Sequence, residues 1–408
     1  MKSALPTNSS TNTSATIKDS AFRRALHQRL KNLQDAQLTI TDPLGEITVG
    51  QPGQDALHAH IQIDHIDTYR DIALGGSNGA AEAYLQEKWH TANLTNVIRV
   101  MARNRELLDA MEGGLARVAG WALRLWHRRN KNSRQGSRKN IAAHYDLGNE
   151  FFRLFLDKRM MYSSYLYHKG DDLHTASTRK LQRICEQLRI KQSDHILEIG
   201  SGWGGFAIYA AQTTGCRVTT ITISKEQYNE SLAQIEKNKL QELIKVELMD
   251  YRDLKGQFDK VVSIEMIEAV GHHYLDTYFA TIARVLKPKG QALLQAITVE
   301  DHRYQQSLKE VDFIKRYIFP GSFIPCINAI GQSASNSKLV IEDIHDIGLS
   351  YARTLADWRQ RFFEQIETVR AQGFDERFIR MWEFYLCYCE GGFAERAISD
   401  VQIHFRKS

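Results

Sequence analysis

The sequence lacks a segment that could span a membrane and a cysteine pattern typical of disulfide bonds. No apolar run reaches the roughly 18 residues that a membrane-spanning helix requires. The five cysteines form no Cys-x-x-Cys pair and no spacing typical of a metal site, so no bound metal is expected. An odd number of cysteines without a pairing framework is typical of a reducing compartment, which predicts a cytoplasmic protein.

The N-terminus also lacks the apolar core of a secretion signal. Residues 1–20 are rich in Ser, Thr and Asn, and we expect them to form a disordered tail. The chain contains no internal repeat. Its 408 residues correspond to two ordinary domains rather than one.

Residues 21–125 are predicted to form a small α+β domain. AFRRALHQRLKNL is an amphipathic helix candidate, and QLTITDPLGEITVG alternates around a turn as a hairpin does. A basic linker, residues 126–140, follows. Between Arg128 and Lys139 it contains six basic residues and no acid. Such a segment suits an anionic membrane, where each Lys or Arg contributes about 1 kcal/mol. No base-reading module accompanies it, so nucleic acid is not expected as a partner.

Residues 141–408 alternate between apolar strand candidates and helix candidates. The strand candidates include HILEIG (195–200), CRVTTITIS (216–224), KVVSIEM (260–266) and QALLQAITV (291–299). This alternation predicts an α/β domain with a parallel, doubly wound, Rossmann-like sheet. In such sheets ligands bind outside the carboxyl ends of the strands.

A turn with very little side chain follows the first of these strands. Gly200, Ser201, Gly202, Trp203 and Gly204 lie between the strand and a helix, and glycines there allow a ligand to approach the backbone closely. A dinucleotide enzyme would hold a pyrophosphate at such a turn. However, Glu198 stands just before the first glycine and would repel a pyrophosphate, whereas it suits an amine-bearing cation. S-adenosylmethionine has that chemistry and carries no phosphate.

Several ordered sequence blocks resemble the cyclopropane-fatty-acyl-phospholipid synthase family, which includes the mycolic acid cyclopropane synthases. The blocks span about residues 25–405 and include AHYDLGNEFF, MYSSY, ILEIGSGWGG, TISKEQ, DYRDL, SIEMIEAVG, KRYIFPG and YCEGGF. The resemblance implies a class I methyltransferase fold in residues 141–408. It also implies a small N-terminal domain for lipid binding and dimerisation. The implied reaction adds a methylene group from S-adenosylmethionine across a cis double bond of a phospholipid acyl chain.

The resemblance implies that the cofactor is enclosed by residues from four parts of the chain. Tyr162 and Ser163 would close over it. The methionine part would lie against Glu198 and the glycine turn, which comprises Gly200, Ser201, Gly202, Trp203 and Gly204. Thr222, Ile223 and Gln227 would lie on the ribose and adenine side, and Tyr251 and Arg252 would flank the adenine.

Ring closure requires a base, and the resemblance implies that a bound bicarbonate supplies it. The matching anion-binding positions are Ser164, Glu268, Gln295, Ile297 and Tyr351. Ser164 and Gln295 depart from the Cys and His of the family pattern, whereas the other three agree. Gln cannot act as a general base near neutral pH. Cyclopropanation is therefore the expected outcome, and a methyl- or methylene-branched chain without a ring is the alternative.

Two further residues have candidate catalytic roles through the same resemblance. Cys389, in LCYCEGGF, matches a cysteine that has been considered catalytic in the family, although a cysteine is more often a small packed hydrophobe. His144, in the AHYD block, would order a lid over the active site, and a purely structural hydrogen bond explains it equally well.

Three other functions compete with the lipid reaction. A small-amine N-methyltransferase would share the fold and cofactor but would need neither the Glu268 and Tyr351 pair nor the basic linker. A catalytically inactive lipid-binding module would not need the intact glycine turn. A nucleic-acid methyltransferase would usually carry an Asn/Asp-Pro-Pro-aromatic motif, which this sequence lacks. We expect an enzyme that works on the phospholipid bilayer surface, associates peripherally with the inner membrane and forms a homodimer.

Overall fold

The structure is a computed structural model that describes residues 10–111 and 147–408. These residues form two compact units, one made of residues 10–111 with 375–391 and the other of residues 147–374 with 392–408. His144 and the whole basic linker, residues 126–140, lie outside the described residues. Within residues 10–111 and 147–408, no helix combines the length and the apolar character that a bilayer crossing needs.

The first unit contains a four-stranded sheet with helices. Its elements are α1 (Ser10–Leu30), β1 (Ala36–Asp42), β2 (Gly45–Gln51), β3 (His58–Ile63), α2 (Thr68–Leu85), β4 (Trp89–His90), α3 (Leu94–Arg103) and α4 (Arg105–Met111). The strand order is β2-β1-β3-β4. The predicted hairpin is confirmed, because β1 and β2 pair antiparallel with Asp42 opposite Gly45. Residues of β1 alternate between buried and half-buried positions, as the sequence pattern indicated.

Helix α1 begins earlier than the sequence predicted. Residues 10–20, which were expected to belong to a disordered tail, lie within this helix. Near the end of this stretch, Asp19 lies 3.8 Å from the Arg70 guanidinium of α2, and contacts to α2 and β1 continue further along the helix. The His27 ring hydrogen-bonds the Tyr69 hydroxyl at 3.0 Å, and that hydroxyl donates to Asp42 at 2.6 Å. Asp19 is itself buried.

A segment near the C-terminus completes the first unit. Helix α14 (Glu376–Ala394) contributes residues up to 391 to it, although the sequence assigned all of residues 141–408 to the second domain. Tyr84 donates to Glu383 at 2.8 Å, and the Arg380 guanidinium lies 3.9 Å from the Tyr84 ring centroid. Gly391 packs so closely on Ile98 that a β-carbon there would come within 2.7 Å of it.

The second unit is built around a seven-stranded sheet. Its strands are β5 (His195–Ile199), β6 (Arg217–Thr222), β7 (Ile244–Leu248), β8 (Phe258–Ile264), β9 (Leu286–Val299), β10 (Leu339–Asp346) and β11 (Ile398–Lys407). Its helices are α5 (Asn149–Arg153), α6 (Leu173–Gln187), α7 (Gly205–Thr214), α8 (Lys225–Lys237), α9 (Leu275–Val285), α10 (Tyr304–Ser307), α11 (Ile327–Asn336), α12 (Gly348–Glu364) and α13 (Ile366–Ala371), together with residues 392–394 of α14.

The predicted α/β, doubly wound sheet is confirmed, with an antiparallel edge that the sequence did not reveal. The strand order is β10-β11-β9-β8-β5-β6-β7, and the run from β9 to β7 is parallel. Strands β11 and β10 pair antiparallel at one edge. The chain runs from β5 to β6 and β7 on one side, then continues with β8 on the other. The carboxyl ends of β5 and β8 therefore flank the switch point where ligands bind in such sheets.

Candidate active site

The glycine turn lies at the carboxyl end of β5 and presents mostly backbone. Gly200, Gly202 and Gly204 have φ values of 96°, 49° and 88°, which glycine adopts without strain. The backbone N–H groups of Gly200 and Ser201 both donate to the Ile221 carbonyl, at 3.0 and 2.9 Å. A β-carbon at Gly200 would lie 3.2 Å from the Met266 side chain. The turn is thus a rigid backbone surface at the switch point.

Glu198 precedes this turn as a buried carboxyl group. Glu198 is only 2% exposed, and this burial raises the pKa of its carboxyl group to about 8. Its Oε2 atom is buried and has no hydrogen-bond partner among the described residues. A buried acceptor without a donor is unfavourable by itself. The position therefore fits a ligand that brings a cationic donor.

The predicted ribose and adenine residues lie after β6 and β7. Thr222 donates to the side chain of Gln227 at 2.8 Å, and Ser224 caps α8 by accepting from the Gln227 N–H at 3.3 Å. Ile223 between them is half-buried. These contacts fix the strand-to-helix turn at the carboxyl end of β6.

Tyr251 and Arg252 form a flat surface after β7. The Arg252 guanidinium donates to both carboxylate oxygens of Asp250, at 2.8 and 2.6 Å, and lies 5.4 Å from the Tyr251 ring centroid. The Tyr251 ring packs edge-on against Tyr278. Burial raises the pKa of Tyr251 to about 12, and its hydroxyl has no hydrogen-bond partner within the described part of the chain.

Aromatic rings connect the MYSSY block to the glycine turn. Tyr162 stacks on Trp358 of α12 at 5.3 Å, and Phe152 lies 5.2 Å from both Tyr162 and Trp203. Trp203 donates to the Asn149 side chain at 2.7 Å. The structure therefore brings two of the predicted cofactor residues, Tyr162 and Trp203, into one aromatic group.

A glutamate that the sequence reasoning missed lies at the centre of the predicted anion site. Glu265, directly after β8, accepts from the Ser164 backbone N–H at 2.7 Å and from the Gln295 amide at 2.8 Å, both through Oε1. Its Oε2 accepts from the Tyr351 hydroxyl at 2.7 Å. Three of the five predicted anion-binding residues thus converge on one protein carboxylate.

The other two predicted residues contact each other. The Ile297 N–H donates to Glu268 Oε1 at 2.7 Å, whereas Glu268 Oε2 is buried without a partner among the described residues. Burial, and next the charge of Glu265, raise the pKa of Glu268 to about 8.

Two buried charged residues next to this group were also missed. Lys180 is fully buried, donates to Ser163 Oγ at 2.6 Å, and has its pKa lowered to about 8 by burial. Asp400 accepts from the Gln295 amide at 2.9 Å, and burial raises the pKa of Asp400 well above its usual value. A sequence signal existed for Lys180, because it shares the apolar face of α6 with Leu181 and Ile184.

Two further predicted catalytic residues are Cys389 and His144. Cys389 lies in the segment of α14 that belongs to the first unit. His144 lies outside the described residues, so its predicted role stays a prediction.

Comparison with known proteins identifies the family. The model of the mycolic acid cyclopropane synthetase family matches residues 132–403. The chain belongs to the mycolic acid cyclopropane synthetase family. It is 36% identical to the cyclopropane-fatty-acyl-phospholipid synthase of Escherichia coli over 86% of this chain and 88% of that protein. It is also 36% identical to the tuberculostearic acid methyltransferase UfaA1 of Mycobacterium tuberculosis, over 79% of this chain and 77% of that one.

Solved structures agree with this family assignment. The cyclopropane synthase MmaA2 from Mycobacterium tuberculosis matches with a TM-score of 0.62 and 27% identity, covering 66% of this chain and 98% of that one. Coclaurine N-methyltransferase matches with a TM-score of 0.61 over 80% of this chain and 98% of that one, but at 15% identity it supports the fold alone.

These findings confirm the predicted family, fold class, enzyme type and reaction type. The protein is a class I methyltransferase of the cyclopropane synthase type that uses S-adenosylmethionine as methyl donor. The residues of this member fit that cofactor. Gly200 and Gly202 provide a backbone surface without side chains, and the unpartnered Oε2 of Glu198 suits an ammonium group.

Proposed function

We propose that this family member adds a methylene group to the cis double bond of an unsaturated phospholipid acyl chain, which gives a cyclopropane. One observation carries the proposal. A group of three acids, the half-buried Glu265 and Glu268 and the buried Asp400, lies at the switch point, beside the residues proposed to bind S-adenosylmethionine. A reaction that passes through a carbocation on an acyl chain needs a proton acceptor in a water-poor site, and this group of acids can provide one.

Different residues of the site have different roles in this reaction. S-adenosylmethionine, when bound, supplies an electrophilic methyl group. The glycine turn and Glu198 bind it, and the Thr222–Gln227 pair and Tyr251 border its other end. The rings of Tyr162 and Trp358 exclude water, and their faces attract the positive charge that develops on the acyl chain. A carboxylate at the end of β8 then accepts a proton from the chain.

Bicarbonate is the external candidate for that proton acceptor. Its donors would be the Ser164 N–H, the Gln295 amide and the Tyr351 hydroxyl. All three donate to Glu265 in this structure. Bicarbonate and the Glu265 carboxylate therefore compete for one position, and the activity test has to be run with and without bicarbonate.

A phospholipid substrate places the enzyme on a bilayer surface. We propose that it binds peripherally to the inner membrane and that the basic linker, residues 126–140, contributes to this binding. The proposed homodimer would double the charge presented to one membrane. Light scattering on the purified protein measures the oligomeric state directly, and a monomer would contradict the dimer.

A methyl- or methylene-branched product is the second candidate. The tuberculostearic acid methyltransferase UfaA1 is as similar to this chain, at 36% identity, as the Escherichia coli cyclopropane synthase is. Gln295 also replaces the expected His. In this alternative the cation loses a proton from a neighbouring carbon, so a double bond remains and no ring forms.

Product analysis by mass spectrometry tests these candidates. The purified protein is incubated with S-adenosylmethionine and vesicles of a cis-monounsaturated phospholipid. We expect acyl chains that have gained one CH2 and lost their double bond. A gain of one CH2 with the unsaturation retained would favour the branched product. Unchanged lipid, with S-adenosylhomocysteine still bound by the protein, would contradict the lipid reaction and point to another acceptor such as a small amine.

A further inference from the structure

The donors around Glu265 form a complete anion site. The Ser164 N–H, the Gln295 amide and the Tyr351 hydroxyl lie 2.7, 2.8 and 2.7 Å from its two carboxylate oxygens. Ser164 and Gln295 are fully buried, and Tyr351 is only 6% exposed. Hydrogen bonds from neutral buried donors to a carboxylate are among the stronger ones in proteins. A second anion would have to displace the Glu265 side chain before it could use these donors.

The backbone of Glu265 has an unfavourable conformation, and in this conformation the side chain reaches the three donors. Its φ is 48°, in the left-handed region that non-glycine residues seldom occupy. The Glu265 N–H donates to the Gln295 carbonyl at 2.8 Å, which extends the β8–β9 ladder by one bond before the chain turns away. Such strain is found where a side chain is held for function.

We propose that the Glu265 carboxylate fills the anion position of this site and is itself the base of the reaction, so that the enzyme works without bicarbonate. The inference rests on the proposed function for the identity of the substrate. The hydrogen-bond donors hold Glu265 with its oxygens at the switch point. The residue is half-buried rather than fully buried, which leaves part of it accessible.

The proton and electron balance of this reaction needs no further reagent. The alkene electrons form the bond to the incoming methyl carbon, and the bond from that carbon to sulfur breaks with its electron pair on the sulfur. A carbocation remains on the acyl chain. Glu265 accepts one proton from the new methyl group, and the C–H electron pair closes the ring. Proton loss from a neighbouring chain carbon to the same carboxylate would give the branched product instead.

Glu265 differs from the two neighbouring acids in the groups that surround it. The Lys180 ammonium is buried nearby and interacts electrostatically with Glu265. Two other acids nearby, Glu268 and Asp400, have raised pKa values because they are buried and because the charge of Glu265 lies close to them. Glu265 is therefore the carboxylate of this group with both a full set of donors and a buried cation nearby.

Three variants separate a protein base from a bicarbonate base. Glu265→Gly removes the side chain and, because glycine tolerates this φ, relieves the strained backbone. It should fold well and leave the three donors open to a small anion. Glu265→Gln keeps the shape of the side chain but cannot accept the proton. Glu236→Gln changes an exposed carboxylate on α8 and is the matched control.

Binding of isotopically labelled bicarbonate, followed by carbon NMR, tests the anion position without any lipid. We expect no saturable binding to the wild-type protein, Glu265→Gln or Glu236→Gln, and saturable binding to Glu265→Gly. Saturable binding to the wild-type protein that Glu265→Gly does not alter would overturn the proposal. Calorimetry with S-adenosylhomocysteine checks that each variant keeps its cofactor site.

Product formation in bicarbonate-free and bicarbonate-containing buffer tests the base. The wild-type rate should be the same in both. Without bicarbonate, both Glu265 variants should lose about 100-fold or more, the usual contribution of a positioned base. Bicarbonate should restore Glu265→Gly but not Glu265→Gln. A wild-type enzyme that stops without bicarbonate, or a fully active Glu265→Gln, would overturn the proposal. If the wild-type enzyme modifies no lipid in either buffer, the proposed function fails, and the NMR experiment still decides what fills the anion position.

Discussion

Glu198 is expected to lower the stability of the folded protein at high pH and to bind the cofactor. Measurements at different pH values can separate these two effects. Burial raises its pKa to about 8 in the folded protein, whereas an unfolded chain ionises it near 4.5. Its stabilising contribution is therefore complete below pH 4.5 and is lost as pH rises towards 8. Glu198→Gln stays neutral throughout. We expect this variant to unfold at a higher temperature than the wild-type protein at pH 8, with a difference that shrinks towards pH 5.

The same substitution should weaken cofactor binding, because the ammonium of S-adenosylmethionine would lose the carboxylate partner proposed for it. Calorimetry at pH 8 and thermal unfolding from pH 5 to pH 8 measure both effects. Higher stability together with lower affinity is expected of a residue that is retained for function. A variant with unchanged affinity would show that Glu198 is a structural residue of the turn.

The two glutamates at the end of β8 show what the sequence did not predict about the site. The block SIEMIEAVG contains two acids, and the resemblance selected Glu268 because it matched the family pattern. Only the structure shows that the donors reach Glu265 instead. Ser164, Gln295 and Tyr351 were nevertheless predicted to share one site although they lie far apart in the chain. A family resemblance can predict which positions form a site. It does not predict which of two nearby carboxylates accepts a hydrogen bond.

Helix α12 connects the aromatic group to the acids at the element scale. Tyr351, Leu355, Trp358 and Phe362 are all buried, and their spacing places them on one face of the helix. Trp358 contacts Tyr162, Tyr165 and Tyr351 through its ring. Trp358→Ala should lower the free energy of unfolding by about 3–5 kcal/mol, because a large buried side chain leaves a cavity.

This change should also reduce product formation, since Tyr351 loses one of its ring neighbours and holds Glu265 less well. Chemical denaturation and the mass-spectrometric assay measure the two effects, and Trp358→Phe should recover part of both. Gln360→Ala, on the exposed face of α12, is the control. If Trp358→Ala were as stable as this control, the buried face of α12 would not hold the site together.

Elements with local signals were predicted well, and those that depend on distant pairing were not. The strand, glycine turn and helix from residue 195 to 214 were evident from the sequence, because the apolar run and the glycines are adjacent. The β1–β2 hairpin had its own turn signal. In contrast, β10 and β11 pair across about 50 residues, and the α14 segment packs on residues nearly 300 positions earlier. Such pairing depends on the surface available in the folded chain, which local patterns do not encode.

At the scale of the whole molecule, the proposed phospholipid substrate would bring the enzyme to a bilayer, and its net charge of +5 favours an anionic one. Six of the basic residues are concentrated between Arg128 and Lys139. Replacing all six with Gln removes up to about 6 kcal/mol of electrostatic attraction at low salt, at about 1 kcal/mol for each charge. We expect the variant to sediment poorly with anionic vesicles, whereas salt should release the wild-type protein in the same way.

Activity on detergent-solubilised substrate provides the control for this variant. None of the residues proposed to carry the chemistry at β5 and β8 belongs to the basic linker, so the rate on solubilised lipid should equal that of the wild-type protein while the rate on anionic vesicles falls. Binding to vesicles of neutral lipid should be weak for both proteins. Unchanged binding to anionic vesicles would contradict a docking role for the linker. If instead the rate on solubilised substrate fell as far as vesicle binding did, the linker would act in substrate binding at the site rather than in docking to the membrane.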